Sequence, residues 1–192
     1  MQPFTQHTGL VAAMDRANVD TDQIIPARFL KVTDKHGLGD SLFCDWRYLK
    51  DGSPNPYFVL NRPESQGAQI LIAGANFGSG PSREHAPWAL VGWGFRAIIS
   101  TGFADIFKSN SLKNGLLPVT VEEEVANWLL EHPDTAVKID IGSRSLEIEG
   151  YGAFNFPLDP FSAYCLARGI DQLDFILQAA DDIRGYEQEH GK

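Results

Sequence analysis

The densest concentration of potential chemistry runs from Gly74 to Trp88: Gly-Ala-Asn-Phe-Gly-Ser-Gly-Pro-Ser-Arg-Glu-His-Ala-Pro-Trp. Glycines at 74, 78 and 80 separate an apolar run from a helix-like segment. There, unhindered backbone N–H groups and the positive end of a helix dipole favour an anion. Arg83 adds a guanidinium that can grip a carboxylate through two parallel hydrogen bonds. Gly78, Ser79, Gly80, Ser82 and Arg83 thus describe a carboxylate or phosphate pocket. Nucleotide and esterase fingerprints fit poorly. Counted from Gly78, GxGxxG spacing puts its third glycine at Arg83, the Walker lysine is absent, and neither Ser79 nor Ser82 sits in a GxSxG frame. The plain alternative is a tight turn that only joins strand to helix.

Other conspicuous residues read mainly as support. Asp20 and Asp22, within Asn18-Val19-Asp20-Thr21-Asp22, lack the third oxygen ligand and glycine of a calcium loop, so capping of nearby backbone N–H groups is expected of them. Glu84 and His85 open the helix after the turn, where a structural hydrogen bond from His85 is favoured over direct catalysis. The remaining histidines have no ligand spacing, and no metal site is expected on this chain. Cys44 and Cys165 stand alone, which fits neither a disulfide framework nor a zinc site and suits a reducing cytoplasm.

The elements that must position these residues alternate in type. Residues 8–14 predict a strand, 69–74 a buried strand and 84–93 a helix with Pro87 in its first turn. A strand over 96–100, a helix over 104–112, a strand over 117–121 and a helix over 122–132 follow. Residues 137–141 and 145–149 alternate apolar with polar, as a half-exposed hairpin does. Helices are expected over 163–168 and 170–186, with Gly169 capping the first. From Ala27 to about Asn61 the pattern breaks down, predicting a long connection over a site or interface, its aromatics serving packing or contact. The sum is an α/β fold with a mixed sheet and flanking helices, expected to form one domain over 1–192.

Composition narrows the partners. A net charge of −9 argues against nucleic acid and anionic membranes, because the whole-molecule field repels both. A small anion remains compatible, since local cations and amides decide binding in a pocket. The N-terminal residues show no basic region leading into an apolar stretch, and no run approaches the roughly 18 apolar residues of a membrane span.

The stretch from Gly78 to Leu90 resembles the serine-arginine-glutamate-histidine signature of the swivelling domain of aconitase-type hydro-lyases. The extension Glu84-His85-Ala86-Pro87-Trp88-Ala89-Leu90 is similar to that of the isopropylmalate dehydratase small subunits. Further similar segments are Asn18-Val19-Asp20-Thr21-Asp22 through Leu30, Asp45-Trp46-Arg47, Phe103 to Phe107, Asn114 to Pro118, and a last helix ending at Tyr186-Glu187. The resemblance implies a swivelling β/β/α fold and interconversion of 2- and 3-isopropylmalate in leucine biosynthesis. It also implies a larger partner subunit holding a 4Fe-4S cluster, and two cysteines here are too few for the three that hold such a cluster.

By the same resemblance Arg83 and Ser82 bind the dicarboxylate substrate, and the segment containing Leu30, Lys31 and Val32 selects its side chain. The proton-removing serine of the family falls at Pro81, which has neither hydroxyl nor N–H. Ser79 and Ser82 are then the nearest candidates for a replacement base, with Ser82 matching the family's second, substrate-binding serine. Alternatives are a small subunit acting on citramalate or dimethylmalate, and a binding or regulatory subunit without catalysis.

Overall fold

A computed structural model describes residues 1–31, 34–35 and 37–190. Seven strands form one sheet in the order β4-β3-β2-β1-β5-β6-β7. They are β1 Gln6–Met14, β2 Ile70–Ala73, β3 Ala97–Ser100, β4 Leu117–Thr120, β5 Ala136–Asp140, β6 Ser145–Ile148 and β7 Gly152–Asn155. The helices are α1 Thr21–Ile24, α2 Cys44–Arg47, α3 His85–Trp93, α4 Asp105–Lys113, α5 Glu123–Glu131, α6 Pro160–Arg168, α7 Gln172–Gln178 and α8 Ala180–His190.

β1 organises the sheet because its two halves pair with different neighbours. Val11 to Met14 run parallel to β2, whereas Gln6 to Leu10 pair antiparallel with β5. β2, β3 and β4 continue the parallel arm, with α3 and α4 as crossovers, and β5, β6 and β7 form an antiparallel meander. Every residue of β2 and β3 is buried, as expected of strands covered on both faces. Their side chains alternate between two cores. Leu71 and Ile98 join Ile24, Phe43, Phe58, Phe77 and Leu90 on one side, while Ile70, Ile72 and Ile99 join Val119, Leu129, Val137 and Leu146 on the other.

The connection from Ala27 to Asn61 carries 3-10 turns at Ala27–Phe29, Leu38–Ser41 and Val59–Asn61 besides α2. Leu42 and Phe43 are fully buried, and Phe43 stacks on Trp46 with ring centroids 5.5 Å apart. Phe43, Phe58 and Trp46 therefore help complete the core under α3, whereas Tyr48 and Tyr57 are exposed. Buried Arg47 donates to the carbonyls of Asp40 and Leu42, both at 3.2 Å, and its guanidinium lies 4.1 Å from the centre of the Trp93 ring.

The C-terminal region differs from the sequence expectation in three ways. α6 begins at Pro160 rather than Ala163, because Asp159 caps it by accepting from the Ser162 N–H and Pro160 fits the first helical position. The helix expected over 170–186 is broken at Ala179 into α7 and α8, and α7 starts on an Asp171 capping box. β7, composed of Gly-Ala-Phe-Asn, has little intrinsic strand preference and forms as an edge strand on β6.

Candidate functional site

The parallel strands β1, β2 and β3 share an end, and their carboxyl ends are where open α/β sheets gather ligands. Beyond that end the chains keep pairing. Asn18 N–H donates to Ala75 O at 2.8 Å, Thr21 N–H to Ser79 O at 2.8 Å, and Phe77 N–H to Gly102 O at 3.0 Å. The Asn76 side-chain amide donates to Asn18 Oδ1 at 2.9 Å. Buried Ser100, at the end of β3, lies 2.8 Å from Gly74 O and 2.9 Å from Gly102 O through its hydroxyl. The aspartate-rich turn after β1 and the glycine-rich turn after β2 are thereby joined into one rigid ridge.

The glycines are explained by close approach. Gly80 has φ +87°, and a Cβ there would lie 2.0 Å from Asp20 Oδ2. Gly78 has φ +77°, with Phe107 at 2.1 Å from the same hypothetical atom. The expectation that all the glycine-rich amides crowd toward an anion is corrected at two positions. Gly78 and Ser79 N–H both donate to Val19 O, at 2.8 and 3.0 Å, because they extend the ladder between the strand ends. Among the described residues no partner accepts from the N–H groups of Gly80 and Ser82, which lie beside the start of α3 and could donate to an anion there.

Asp20 caps α1 through a capping box with Gln23, and its Oδ1 accepts from the Asp22 N–H at 2.7 Å. Asp22, so aligned, accepts from Arg83 Nε at 3.1 Å. Arg83 is thus held at the inner nitrogen of its guanidinium, and among the described residues its outer edge makes only a 3.5 Å contact from Nη1 to Ser82 O. Pro81 and Ser82 are exposed on the same turn. Thr21, which sequence reading passed over between its two aspartates, is 2% exposed and donates its hydroxyl to Pro81 O at 2.7 Å.

Glu84 and His85 start α3. Glu84 Oε1 accepts from Asn114 Nδ2 at 3.2 Å, and the His85 ring lies 4.7 Å from that of Trp88. Asn114 also accepts from Trp88 Nε1 at 2.8 Å and from Lys35 Nζ at 3.0 Å, so one side chain ties α4, α3 and the long connection together. Nothing in sequence spacing marks that role. Leu30 is half-buried at the end of the turn Ala27–Phe29 and Lys31 is exposed, while Val32 lies outside the described residues. Arg28 forms an ion pair with Asp45, and its Nη2 lies 3.1 Å from Cys44 Sγ. The hydrogen bond from Arg28 holds the Asp45 carboxyl below its usual range, whereas burial chiefly raises the Cys44 thiol.

Two cysteines, Cys44 at the start of α2 and Cys165 within α6, do not make the three-thiolate set of an iron-sulfur cluster. Among the described residues, no three or more histidine, cysteine or acidic side chains come together in a metal-binding group. No helix there is long and apolar enough to cross a membrane.

The family model of the aconitase C-terminal domain matches residues 1–124. The 3-isopropylmalate dehydratase small subunit of Roseiflexus sp. (strain RS-1) is 53% identical over 191 residues, covering 97% of this chain and 94% of the relative. The chain belongs to the 3-isopropylmalate dehydratase small-subunit family. A small subunit from Anaeromyxobacter dehalogenans (strain 2CP-C) is 54% identical over 187 residues, covering 97% of this chain and 98% of that protein. The crystal structure of 3-isopropylmalate dehydratase from Methanocaldococcus jannaschii aligns with a TM-score of 0.69 and 25% identity, over 95% of this chain and 99% of that one. The aconitase-like fold expected for the small-subunit family is therefore the fold of this chain, as a mixed seven-stranded sheet with flanking helices.

Proposed function

We propose that this chain is the small subunit of a 3-isopropylmalate dehydratase, a hydro-lyase that interconverts 2- and 3-isopropylmalate in leucine biosynthesis beside a large subunit carrying a 4Fe-4S cluster. The observation that carries the reading is the grip of Asp22 on Arg83 Nε, which leaves the outer guanidinium edge to take a carboxylate bidentately. Relatives of almost the same length, named as small subunits, support the substrate and the division of labour. A cluster held by the large subunit would supply a Lewis-acidic iron for the departure of the substrate hydroxyl.

On this chain, Arg83, the Ser82 hydroxyl and the N–H groups of the turn bind the substrate carboxylate. Ser82 also takes over proton transfer from the position occupied by Pro81. Its hydroxyl is exposed, and an adjacent guanidinium favours the alkoxide. Leu30 and Lys31 border the substrate side chain, whose isopropyl group suits an apolar neighbour. Asp20, Asp22, Glu84 and His85 hold the turn and α3 in place. The connection from 27 to 61, anchored in the core through Phe43 and Phe58, borders the site or the large-subunit interface, and the chain works as one swivelling unit in the cytoplasm.

Anaerobic reconstitution with the large subunit from the same source tests this reading. Turnover of 3-isopropylmalate with a kcat/KM above that for citramalate and dimethylmalate is the expected result. Absence of isopropylmalate turnover, or preference for one of the other acids, overturns it.

A further inference from the structure

We infer that Thr21 is a positioning residue whose buried hydroxyl aims the Ser82 backbone N–H at the substrate carboxylate; this rests on the proposed function and adds a donor to it. The Thr21 side chain is 2% exposed, and its Oγ1 donates to Pro81 O at 2.7 Å while its own N–H donates to Ser79 O at 2.8 Å. Thr21 therefore holds the glycine-rich turn at two carbonyls, one on each side of Gly80.

The consequence follows from peptide geometry. In a trans peptide the carbonyl of one residue and the N–H of the next lie in one plane and point in opposite directions. Drawing Pro81 O inward onto α1 turns the Ser82 N–H outward, to the exposed side of the turn where Ser82 and Arg83 stand. That donor matters because, apart from the Gly80 N–H, the other amides of the turn are committed or missing. Gly78 and Ser79 N–H both bond Val19 O, and proline at 81 has no N–H to give. Ser82 N–H is thus the amide adjoining the Arg83 guanidinium that Thr21 can orient. A buried hydroxyl needs an acceptor in any case, so a packing role alone predicts a stability effect without a binding effect.

The reconstituted natural pair is compared with pairs carrying Thr21→Val and Thr21→Ser. Thr21→Val is expected to raise KM for 3-isopropylmalate roughly tenfold, as for loss of one hydrogen bond to a charged group, with kcat changed less than threefold. Thr21→Ser is expected to stay within about twofold of the natural KM. An unchanged KM in Thr21→Val, or equal loss in both variants, overturns the inference. A second measurement needs no variant. In the natural complex, saturating substrate is expected to slow amide exchange at Ser82 and to leave Gly78 and Ser79 unaltered; unslowed exchange at Ser82 overturns the inference as well. A natural pair that does not turn over isopropylmalate contradicts the proposed function itself, whereas an active pair indifferent to Thr21→Val contradicts only this step.

Discussion

At the residue scale, Arg83 can use both outer nitrogens on a carboxylate because Asp22 occupies the inner one. Asp22→Asn replaces a charged acceptor by a neutral one, and Arg83→Lys removes the planar fork altogether. In the reconstituted pair, KM should rise by several-fold for the first and by about 10²-fold or more for the second. Equal KM values for Arg83→Lys and the natural chain would show that the substrate is held elsewhere. Ser82→Ala is expected to lower kcat by about 10²- to 10⁴-fold, the usual cost of a lost general base, and Pro81→Ser in that background should recover part of it. Arg83 and Ser82 stand out in the sequence because the chemistry of a guanidinium and a hydroxyl is local. The Thr21 contact was not legible, since it joins residues 60 positions apart through a carbonyl.

At the element scale, two turns on neighbouring parallel strands are joined by a ladder that runs past the strands themselves. Sequence pattern reached β2, β3, β4 and the β5–β6 hairpin because apolar runs and alternation are strong local signals. It missed β7, whose pairing depends on β6 rather than on its own residues, and the break at Ala179, which no glycine or proline marks. It also overestimated the anion donors, because an N–H in a glycine-rich turn looks free until its partner strand is known. Gly80→Ala tests the close packing of the turns. The new methyl meets Asp20 where Gly80 already has a left-handed φ, so a loss of about 2 kcal/mol or more is expected in denaturant unfolding. Gly52→Ala, with φ +83° and nothing within 4 Å, should cost only the backbone strain of about 1 kcal/mol. Equal losses would mean that the Asp20 contact contributes nothing.

At the scale of the whole molecule, pH acts on groups far from the site. Burial chiefly, with the Arg96 charge, lowers the His7 pKa below its ordinary 6.5. As pH falls through that value the unfolded chain binds a proton that the folded chain resists, so the stability is complete above pH 6.5 and declines below it. Asp140 and Asp159 are held below the ordinary 3.8, chiefly by the Ser143 and Ser162 backbone N–H groups, and add a second decline as pH falls below that value. Melting temperatures from pH 8 to 3 should therefore fall in two stages, and His7→Gln should remove the upper one; a flat profile between pH 7.5 and 5 would contradict it. The sequence also pointed to a partner, because its resemblance to the small subunits of hydro-lyases implies a 4Fe-4S cluster for which two cysteines are too few. The most direct test is to measure isopropylmalate turnover by the large subunit alone, by this chain alone and by the two together under anaerobic conditions. Turnover that requires both, and that falls with Arg83→Lys, is the predicted result; equal turnover by the large subunit alone would contradict it.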